Sequence, residues 1–180
     1  MSEQLDSPRL TVPVGSSDHA RGGPETAPLT LVEYGDYECP YCGAAYPIVK
    51  EIESVLGDEL RSVFRNFPLG DAHPHAPQAA EAAEAAAAQG RFWEMHDRLY
   101  ENQQHLETSD LLGYADTLGL DVARFEADLA QHTYEPRVRS DFLSGVRSGV
   151  NGTPTFFING VRHNGSYDFE TLLGALRAAV

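Results

Sequence analysis

Tyr37-Glu38-Cys39-Pro40-Tyr41-Cys42 is the stretch that decides the fold of this chain, because it contains both cysteines of the sequence. The residues before it, Leu29 to Tyr34, have the apolar composition of a buried strand, and Gly35-Asp36 is typical of a loop. The residues after it, Ala44 to Leu56, have the periodicity of an amphipathic helix that the cysteines open. The cysteine pair is therefore predicted to lie where a strand passes into a helix.

Two thiols three positions apart can exchange electrons with another disulfide, and the start of a helix favours this chemistry. The first N–H groups of a helix lack partners and its dipole is positive there, which stabilises a thiolate at Cys39. Pro40 fits the first helical turn, and Cys42, one turn in, is the natural resolving thiol. The residues thus predict a thiol–disulfide oxidoreductase in which Cys39 attacks a substrate disulfide and Cys42 resolves the mixed disulfide. Asp36 and Glu38 add negative charge that opposes the thiolate, so the size of the pKa shift of Cys39 is not predicted.

The composition argues against two classes of partner. With 27 acidic and 13 basic side chains, the chain has a formal charge of −14, which predicts no binding of nucleic acid or of an anionic membrane surface. No run approaches the ~18 consecutive apolar residues of a membrane span. The start, Met1 to Asp6, lacks the basic and apolar regions of a secretory signal, so we expect a cytoplasmic protein. In that reducing compartment two cysteines are typical of a catalytic or metal-binding role.

The remaining sequence predicts strands on both sides of a helical block. Before the cysteines, 9–14 is predicted as a short strand and 15–24 as a loop, and after them 60–67 as the next strand. Five helices are predicted at 79–89, 92–102, 109–118, 122–131 and 135–148, with Thr108 or Ser109 and Asp121 as N-caps. A hairpin follows, with strands at 155–158 and 161–163 joined by Asn159-Gly160, and Asp168 caps a last helix to 179. This order indicates an α/β fold in which strands flank a helical insertion.

Four motifs carry a resemblance to a known family. They are Glu33-Tyr-Gly-Asp-Tyr-Glu-Cys-Pro-Tyr-Cys-Gly43, His73-Pro-His-Ala76, Phe92-Trp-Glu-Met-His96 and Gly149-Val-Asn-Gly-Thr-Pro-Thr-Phe-Phe-Ile-Asn-Gly160. With them the chain resembles, from about Thr30 to Ala179, the DsbA-like branch of the thioredoxin superfamily. The resemblance implies a thioredoxin fold, a central mixed sheet flanked by helices, with an inserted all-helical domain. Residues 1–74 and 150–180 would form the thioredoxin-like domain and residues 75–149 the inserted domain.

The resemblance also implies roles outside the cysteine motif. The family's proline matching Thr153-Pro154 has a cis peptide bond, faces the active-site sulfurs and leaves the preceding backbone available to pair with an extended substrate. This pair, together with Pro40 and Tyr41, is thus expected to bind substrate. Glu33 stands where the family carries a buried acid, whose desolvated carboxyl could relay a proton to or from Cys42. The alternative for Glu33 is a solvated position on an edge strand.

Several other polar residues are better explained without chemistry. His73 and His75 could suggest a zinc site with the cysteines, but no second CxxC or His-x₃-His completes a ligand set, so no metal is predicted. His96 falls among apolar helix neighbours and is interpreted as a packing residue. No Gly-rich nucleotide loop is recognised, so no nicotinamide, flavin or other cofactor is predicted, and electrons would come from a partner thiol.

The dipeptide Pro40-Tyr41 departs from the strongly oxidising periplasmic members of the family, which have Pro-His between their cysteines. A neutral tyrosine cannot provide the positive charge that an imidazolium offers a thiolate, so a weaker oxidant is predicted. Pro-Tyr is also carried by many glutaredoxins, whose potentials are roughly −200 to −230 mV, and the direction of electron flow therefore stays open. The expected partners are thiols or disulfides of proteins and peptides, with glutathione or a thioredoxin-type protein as electron donor.

Two other functions stay open. A glutathione-dependent enzyme of the same fold, glutaredoxin-like or transferase-like, would need a basic or polar pocket near Pro154, to which Arg65, Arg162 and Lys50 could contribute. A non-enzymatic peptide-binding or chaperone module would keep the proline groove and bind its peptides without either cysteine. Turnover with glutathione would distinguish the first alternative from a protein disulfide oxidoreductase. Peptide binding by a variant without cysteines would distinguish the second.

Overall fold

The computed structural model describes residues 7–180, which form five strands and seven α-helices. The strands are β1 His19–Gly22, β2 Leu29–Gly35, β3 Leu60–Asn66, β4 Thr155–Ile158 and β5 Val161–Arg162. The helices are α1 Pro40–Leu56, α2 Ala76–Ala87, α3 Phe92–Glu101, α4 Thr108–Thr117, α5 Val122–Ala130, α6 Glu135–Arg147 and α7 Phe169–Ala178. The first six residues, in which the sequence predicts no export signal, lie outside the described residues.

The sheet has the strand order β1-β3-β2-β4-β5, which makes β2 its central strand. β1 runs antiparallel to β3, and β4 runs antiparallel to β2 with Phe156 opposite Glu33. The predicted hairpin is confirmed, since β4 and β5 pair with each other. Asn159 and Gly160 join the two strands, and their φ angles of 47° and 82° suit a tight hairpin turn. The central strand β2 leads directly into the cysteine motif.

The first strand lies later in the chain than predicted. The stretch 9–14 contributes only an isolated bridge, between Arg9 and Val161, whereas β1 lies inside the predicted loop. Its backbone pairs with β3, with Ala20 opposite Val63, and this long-range pairing outweighs the turn-forming residues around it. The prediction of a strand at 9–14 is therefore wrong.

The helical block is confirmed, with ends that differ from the predicted ones by a few residues. Asp121 caps α5 as predicted, because its Oδ1 accepts a hydrogen bond from the N–H of Arg124 at 3.0 Å. The cap of α4 is instead Glu107, which forms a reciprocal capping box with Asp110. The predicted cap at 108 or 109 is wrong, because α4 already includes both of these residues.

Close packing divides the chain into two units. Among the described residues, the sheet unit comprises 7–34, 45–65 and 144–180, and the helical unit comprises 35–44 and 66–143. These units reflect packing alone, so the family domain boundaries predicted at residues 74 and 149 stay a prediction. Within residues 7–180, none of the helices combines the length and apolarity needed to cross a membrane.

Each unit has its own apolar interior. The sheet unit is held together by apolar side chains of β2, α1, β3, β4 and α7, namely Leu29, Leu31, Ala45, Val49, Ile52, Leu56, Leu60, Phe156, Ile158, Leu172, Leu173 and Leu176. In the helical unit, α2 packs against α3, α4 and α5 through a surface made largely of buried alanines. The small alanine side chain allows close approach of helices, which agrees with the interpretation of the alanine run as a packed helix.

Candidate active site

Both cysteines lie where β2 passes into α1. Cys39 stands directly before α1, and its N–H donates to the main-chain oxygen of Asp36 at 3.2 Å. Its own carbonyl accepts a helical hydrogen bond from the N–H of Gly43 at 3.0 Å, and Cys42 lies in the first turn of the helix. Both side chains are thiols and are buried, with exposed fractions of 3% for Cys39 and 0% for Cys42. The predicted strand-to-helix position is confirmed, and the positive end of α1 favours a thiolate there.

The carboxylate of Asp36 binds both the cysteine turn, which we define as residues 37–42, and the segment that follows β3. Its Oδ1 accepts hydrogen bonds from the N–H groups of Glu38 at 2.8 Å and Cys39 at 3.0 Å. Its Oδ2 accepts from the N–H of Leu69 at 2.8 Å and lies 2.9 Å from Nδ1 of His73. These four contacts satisfy a carboxylate that is only 1% exposed and would otherwise be costly to bury. The turn that carries Cys39 therefore depends on a buried acid that in sequence stands out only as a nearby charge.

Gln103 holds the same turn from the loop after α3. Its Nε2 donates to the carbonyl oxygens of Tyr37 and Cys39, each at 2.9 Å. The amide lies against Gly43, where a Cβ atom would overlap the amide oxygen and come within 2.7 Å of Cδ. Gly43 thus leaves the space in which Gln103 reaches both carbonyls. No local pattern marks Gln103, because it stands 64 positions away from Cys39 in sequence.

An aromatic cluster adjoins the turn within the helical unit. Tyr37 is buried, and its hydroxyl lies 2.9 Å from Nδ1 of His96. The ring of His96 packs edge-on against Tyr37 and Trp93, and Tyr37 also contacts the ring of Tyr100. The packing role predicted for His96 is confirmed.

His73 and His75 pair with the two acids nearest to Cys39. Nδ1 of His75 lies 2.6 Å from Oε2 of Glu38, and the N–H of His75 donates to the other carboxylate oxygen at 3.0 Å. The hydrogen bond to Glu38 outweighs the effect of burial and raises the pKa of His75. Burial lowers the pKa of His73, but the hydrogen bond and charge of Asp36 more than offset it, so this pKa is also raised. Both imidazoles therefore stay charged to higher pH than an ordinary histidine.

The sequence carries a signal for these pairs that is easily overlooked. Asp36 and Glu38 are two positions apart, as are His73 and His75, and each histidine pairs with the acid 37 positions before it. From the sequence, these histidines are considered only as metal ligands and no metal is predicted, so their pairing with the two acids is not anticipated. Among residues 7–180, no group of three or more His, Cys, Asp or Glu side chains is arranged to hold a metal ion.

The other predicted site residues divide between the two units. Glu33 lies on the central strand β2 and is 7% exposed, which rules out the solvated edge position. The Thr153-Pro154 peptide bond is cis, and β4 begins at the next residue, Thr155, which lies opposite Tyr34. These residues belong to the sheet unit. Residues 39–42 come together in one turn of the helical unit, where the tyrosine between the cysteines is 66% exposed.

Comparison with known sequences gives one family and a set of longer relatives. The family model described as Thioredoxin matches residues 16–178. The chain is 52% identical over 171 residues to Na(+)/H(+) antiporter NhaA 1 of Salinispora arenicola, covering 94% of this chain and 26% of that protein. It is 48% identical over 163 residues to Na(+)/H(+) antiporter NhaA 1 of Mycobacterium sp. (strain KMS), covering 89% and 26%. The chain thus spans about a quarter of the length of the curated relatives it matches.

Comparison with solved structures gives proteins of similar length. BdbD from Bacillus subtilis, in its oxidised form, superposes with a TM-score of 0.85 at 20% identity, over 97% of each chain. A thioredoxin-like oxidoreductase from Silicibacter pomeroyi superposes with a TM-score of 0.79 at 28% identity, over 92% of this chain and 93% of that one. The thiol-disulfide exchange protein alpha-DsbA2 from Wolbachia pipientis superposes with a TM-score of 0.77 at 20% identity, over 92% and 88%.

Proposed function

The chain belongs to the thioredoxin family, and from this premise we propose that it is a thiol–disulfide oxidoreductase whose Cys39-Cys42 pair exchanges with thiols or disulfides of protein substrates. Its fold is the thioredoxin fold that the sequence predicts, a mixed sheet flanked by helices, and its structural neighbours are DsbA-like. One observation carries the proposal: both thiols lie at the positive end of α1, one directly before the helix and one in its first turn.

In the proposed reaction the Cys39 thiolate attacks one sulfur of a substrate disulfide. The substrate S–S bond breaks, a Cys39–substrate disulfide forms, and the other substrate sulfur leaves as a thiolate that takes up a proton. Cys42 then loses its proton and attacks the Cys39 sulfur, which releases the bound substrate sulfur and forms the Cys39–Cys42 disulfide. The substrate gains the two electrons that the cysteine pair loses, and the reverse sequence oxidises a substrate dithiol.

Three further residues would support this exchange. We assign to Glu33 the proton that Cys42 gains or loses, because Glu33 is buried and a carboxyl group can act as a general acid or base. The main chain at Thr153, before Pro154, would pair with an extended substrate segment, which gives affinity through backbone hydrogen bonds and accepts diverse sequences. The exposed ring of Tyr41, beside Pro40, would contact the same segment.

The glutathione-dependent alternative has less support. Of the three cations considered for its pocket, Arg65 is 2% exposed, and its guanidinium binds Asp18 through two hydrogen bonds of 2.9 and 3.0 Å. Arg162 and Lys50 also donate to neighbouring groups of the chain, at 2.8 and 3.2 Å. A pocket for the carboxylates of glutathione would have to compete with these contacts.

Equilibration in glutathione redox buffers tests the proposal directly. Counting thiols by alkylation and mass gives the fraction of Cys39–Cys42 disulfide at each potential. A midpoint near or below roughly −230 mV would indicate a reductant in the cytosol, and one above about −180 mV an oxidant or isomerase. The absence of any reversible bond between the two cysteines would overturn the oxidoreductase proposal.

Serine substitutions test the order of attack. Cys39→Ser should abolish exchange because it removes the nucleophile, whereas Cys42→Ser should accumulate mixed disulfides through Cys39 because nothing resolves them. Non-reducing electrophoresis and mass spectrometry of the trapped species identify the bonded cysteine. Trapping through Cys42 in the Cys39→Ser variant would reverse the two roles, and peptide binding that survives both substitutions together would favour the chaperone alternative.

The similarity to part of the antiporters suggests a partner. We propose that the exchange reaction serves a membrane protein of the Na(+)/H(+) antiporter class from a cytoplasmic position, because the matched segment occurs within proteins of that name. Cells expressing the Cys42→Ser variant can be fractionated and the mixed disulfides identified by mass spectrometry. An antiporter captured in the membrane fraction would support this partner, and capture of water-soluble proteins alone would contradict it.

A further inference from the structure

Two acidic side chains lie close to the thiol on which the proposed exchange depends. The Cys39 N–H donates to Asp36, and Glu38 directly precedes the cysteine. Negative charge near a thiol disfavours its thiolate. Both acids also accept main-chain hydrogen bonds, Asp36 from the N–H of Glu38 and Glu38 from the N–H of His75, so removing either acid would loosen the backbone that it holds. A positive charge beside them would keep these contacts and offset their effect on Cys39.

The structure supplies such a charge from the segment before α2. The two oxygens of Asp36 divide their contacts: Oδ1 holds the Cys39 N–H, and Oδ2 lies 2.9 Å from Nδ1 of His73. One buried carboxylate thus joins the cysteine turn to the imidazole. The side chain of His73 is 20% exposed and that of Asp36 0%, which limits the screening of their charges by water.

We propose that His73 is a positioning residue which, as an imidazolium bound to Asp36, increases the fraction of Cys39 present as thiolate. His73 would provide the positive charge that Tyr41, between the cysteines, does not. This role rests on the proposed function, because the thiolate fraction matters only where Cys39 is the attacking group.

The electrostatic surroundings of His73 support this role. Burial lowers its pKa, the hydrogen bond and charge of Asp36 raise it, and the charges of Cys39 and Glu38 raise it further. An electrostatic interaction acts equally on its two partners. Because a charge on Cys39 favours the imidazolium, the imidazolium favours the charged thiol to the same degree.

Alkylation of a single thiol tests the role. In a Cys42→Ser background Cys39 is the only thiol of the chain, and its rate of reaction with iodoacetamide across pH reports its thiolate. His73→Gln keeps a side chain that can donate to Asp36 but removes the charge. Near pH 7 we expect Cys39 to react about 3- to 10-fold more slowly in this variant, with the midpoint of the profile at higher pH. The difference should close in alkaline solution, where the imidazole is neutral in the unsubstituted protein as well.

A matched histidine serves as the control. His132 pairs with the buried acid Glu81 at 3.1 Å, and this pair includes no residue of the cysteine turn. His132→Gln should leave the alkylation profile unchanged. An unchanged profile in His73→Gln, or an equal displacement in both variants, would overturn the proposal.

A second measurement avoids substitution of the histidine altogether. In the Cys42→Ser protein, the titration of the His73 imidazole is followed by NMR before and after Cys39 is capped with a neutral group. Capping removes the thiolate, so the midpoint of the His73 titration should fall. Equal midpoints for His73 in both states would overturn the proposal even if His73→Gln folds poorly.

The redox potential separates this inference from the proposed function. With Cys42 present, His73→Gln should lower the midpoint potential by up to about 30 mV, the equivalent of a tenfold change, because the reduced pair loses stabilisation. A chain that forms no reversible Cys39–Cys42 disulfide would refute the proposed function. The alkylation profile would still decide whether His73 acts on Cys39.

Discussion

Two side chains hold the main chain around Cys39, one three positions before it in sequence and the other 64 positions after it. Asp36 binds two N–H groups of the turn, and Gln103 binds two of its carbonyl groups. A net contribution of about 0.5–1.5 kcal/mol for each hydrogen bond makes both side chains important for the shape of the turn. The turn is therefore held on both its donor and its acceptor side.

Gly43→Ala tests the contact with Gln103 at this scale. The added methyl group should displace the amide and cost its two hydrogen bonds, which outweighs the gain of up to about 1 kcal/mol from better helix propensity. We expect a loss of up to about 2 kcal/mol in the free energy of unfolding, measured with urea. Exchange should also slow, as followed by the reduction of a model disulfide.

A second helical glycine provides the control. A Cβ atom at Gly174, in α7, would meet nothing within 4 Å, so Gly174→Ala should stabilise by about 0.5–1 kcal/mol. In a Gln103→Ala background the added methyl group meets no amide, so Gly43→Ala should stabilise the protein as Gly174→Ala does. Stabilisation by Gly43→Ala alone would refute the role of this contact.

At the scale of elements, local patterns predict most of the fold. The apolar run of β2, the Asn159-Gly160 turn and the Asp121 cap each carry their signal within a few residues, and all three are confirmed. β1 carries no such signal, because its conformation depends on pairing with β3 about forty residues later. Glu107 was missed as a cap for a related reason, since glutamate is not among the usual N-cap residues.

In the candidate site, too, local patterns predict some features and miss those that depend on long-range contacts. The cysteine pair and its helix follow from local pattern, and the burial of Glu33 follows from its apolar strand. The contacts of Asp36 with His73 and of Gln103 with the turn span 37 and 64 or more positions. Such contacts depend on how the elements pack, which periodicity and capping patterns do not specify.

The cap of α5 gives a prediction for an element. Asp121→Ala removes the side-chain acceptor of the Arg124 N–H and should lower the free energy of unfolding by about 1 kcal/mol. Asp116→Ala, at an exposed position near the end of α4, removes the same charge without a cap and should change stability by less than about 0.5 kcal/mol. If both substitutions lowered the free energy of unfolding in urea equally, the loss would come from the removed charge and not from the lost cap.

At the scale of the whole molecule, a buried charged cluster shapes the response to pH. Glu84 and Asp141 both lie 3.4 Å from Nε of Arg137, and Asn66 donates to Asp141 from its N–H and its side chain at 3.0 Å. Burial raises the pKa of Asp141, and the charge of Glu84 adds to this, although Arg137 and Asn66 act in the opposite direction. The folded protein therefore binds this proton more tightly than the unfolded chain does.

The sign of the resulting pH dependence follows from proton linkage. Between the unfolded pKa of about 3.9 and the raised folded pKa, the folded state binds more protons, so the contribution of Asp141 to stability falls as pH rises. Asp141→Asn should remove this decline, and the stability of the variant relative to the unsubstituted protein should improve with pH across that window. Urea unfolding at a series of pH values measures both slopes, with exposed Asp116→Asn as control. Parallel curves for Asp141→Asn and the unsubstituted protein would contradict the raised pKa.

Trp93 is the only tryptophan of the chain, and its indole packs edge-on against His96 with ring centroids 5.0 Å apart. His96 in turn contacts the hydroxyl of Tyr37, two positions before Cys39. A rearrangement of the cysteine turn therefore reaches the indole through a single intervening ring. We therefore expect the intrinsic fluorescence of this protein to act as a built-in optical probe, with which the kinetics of the cysteine turn can be followed without attaching a dye.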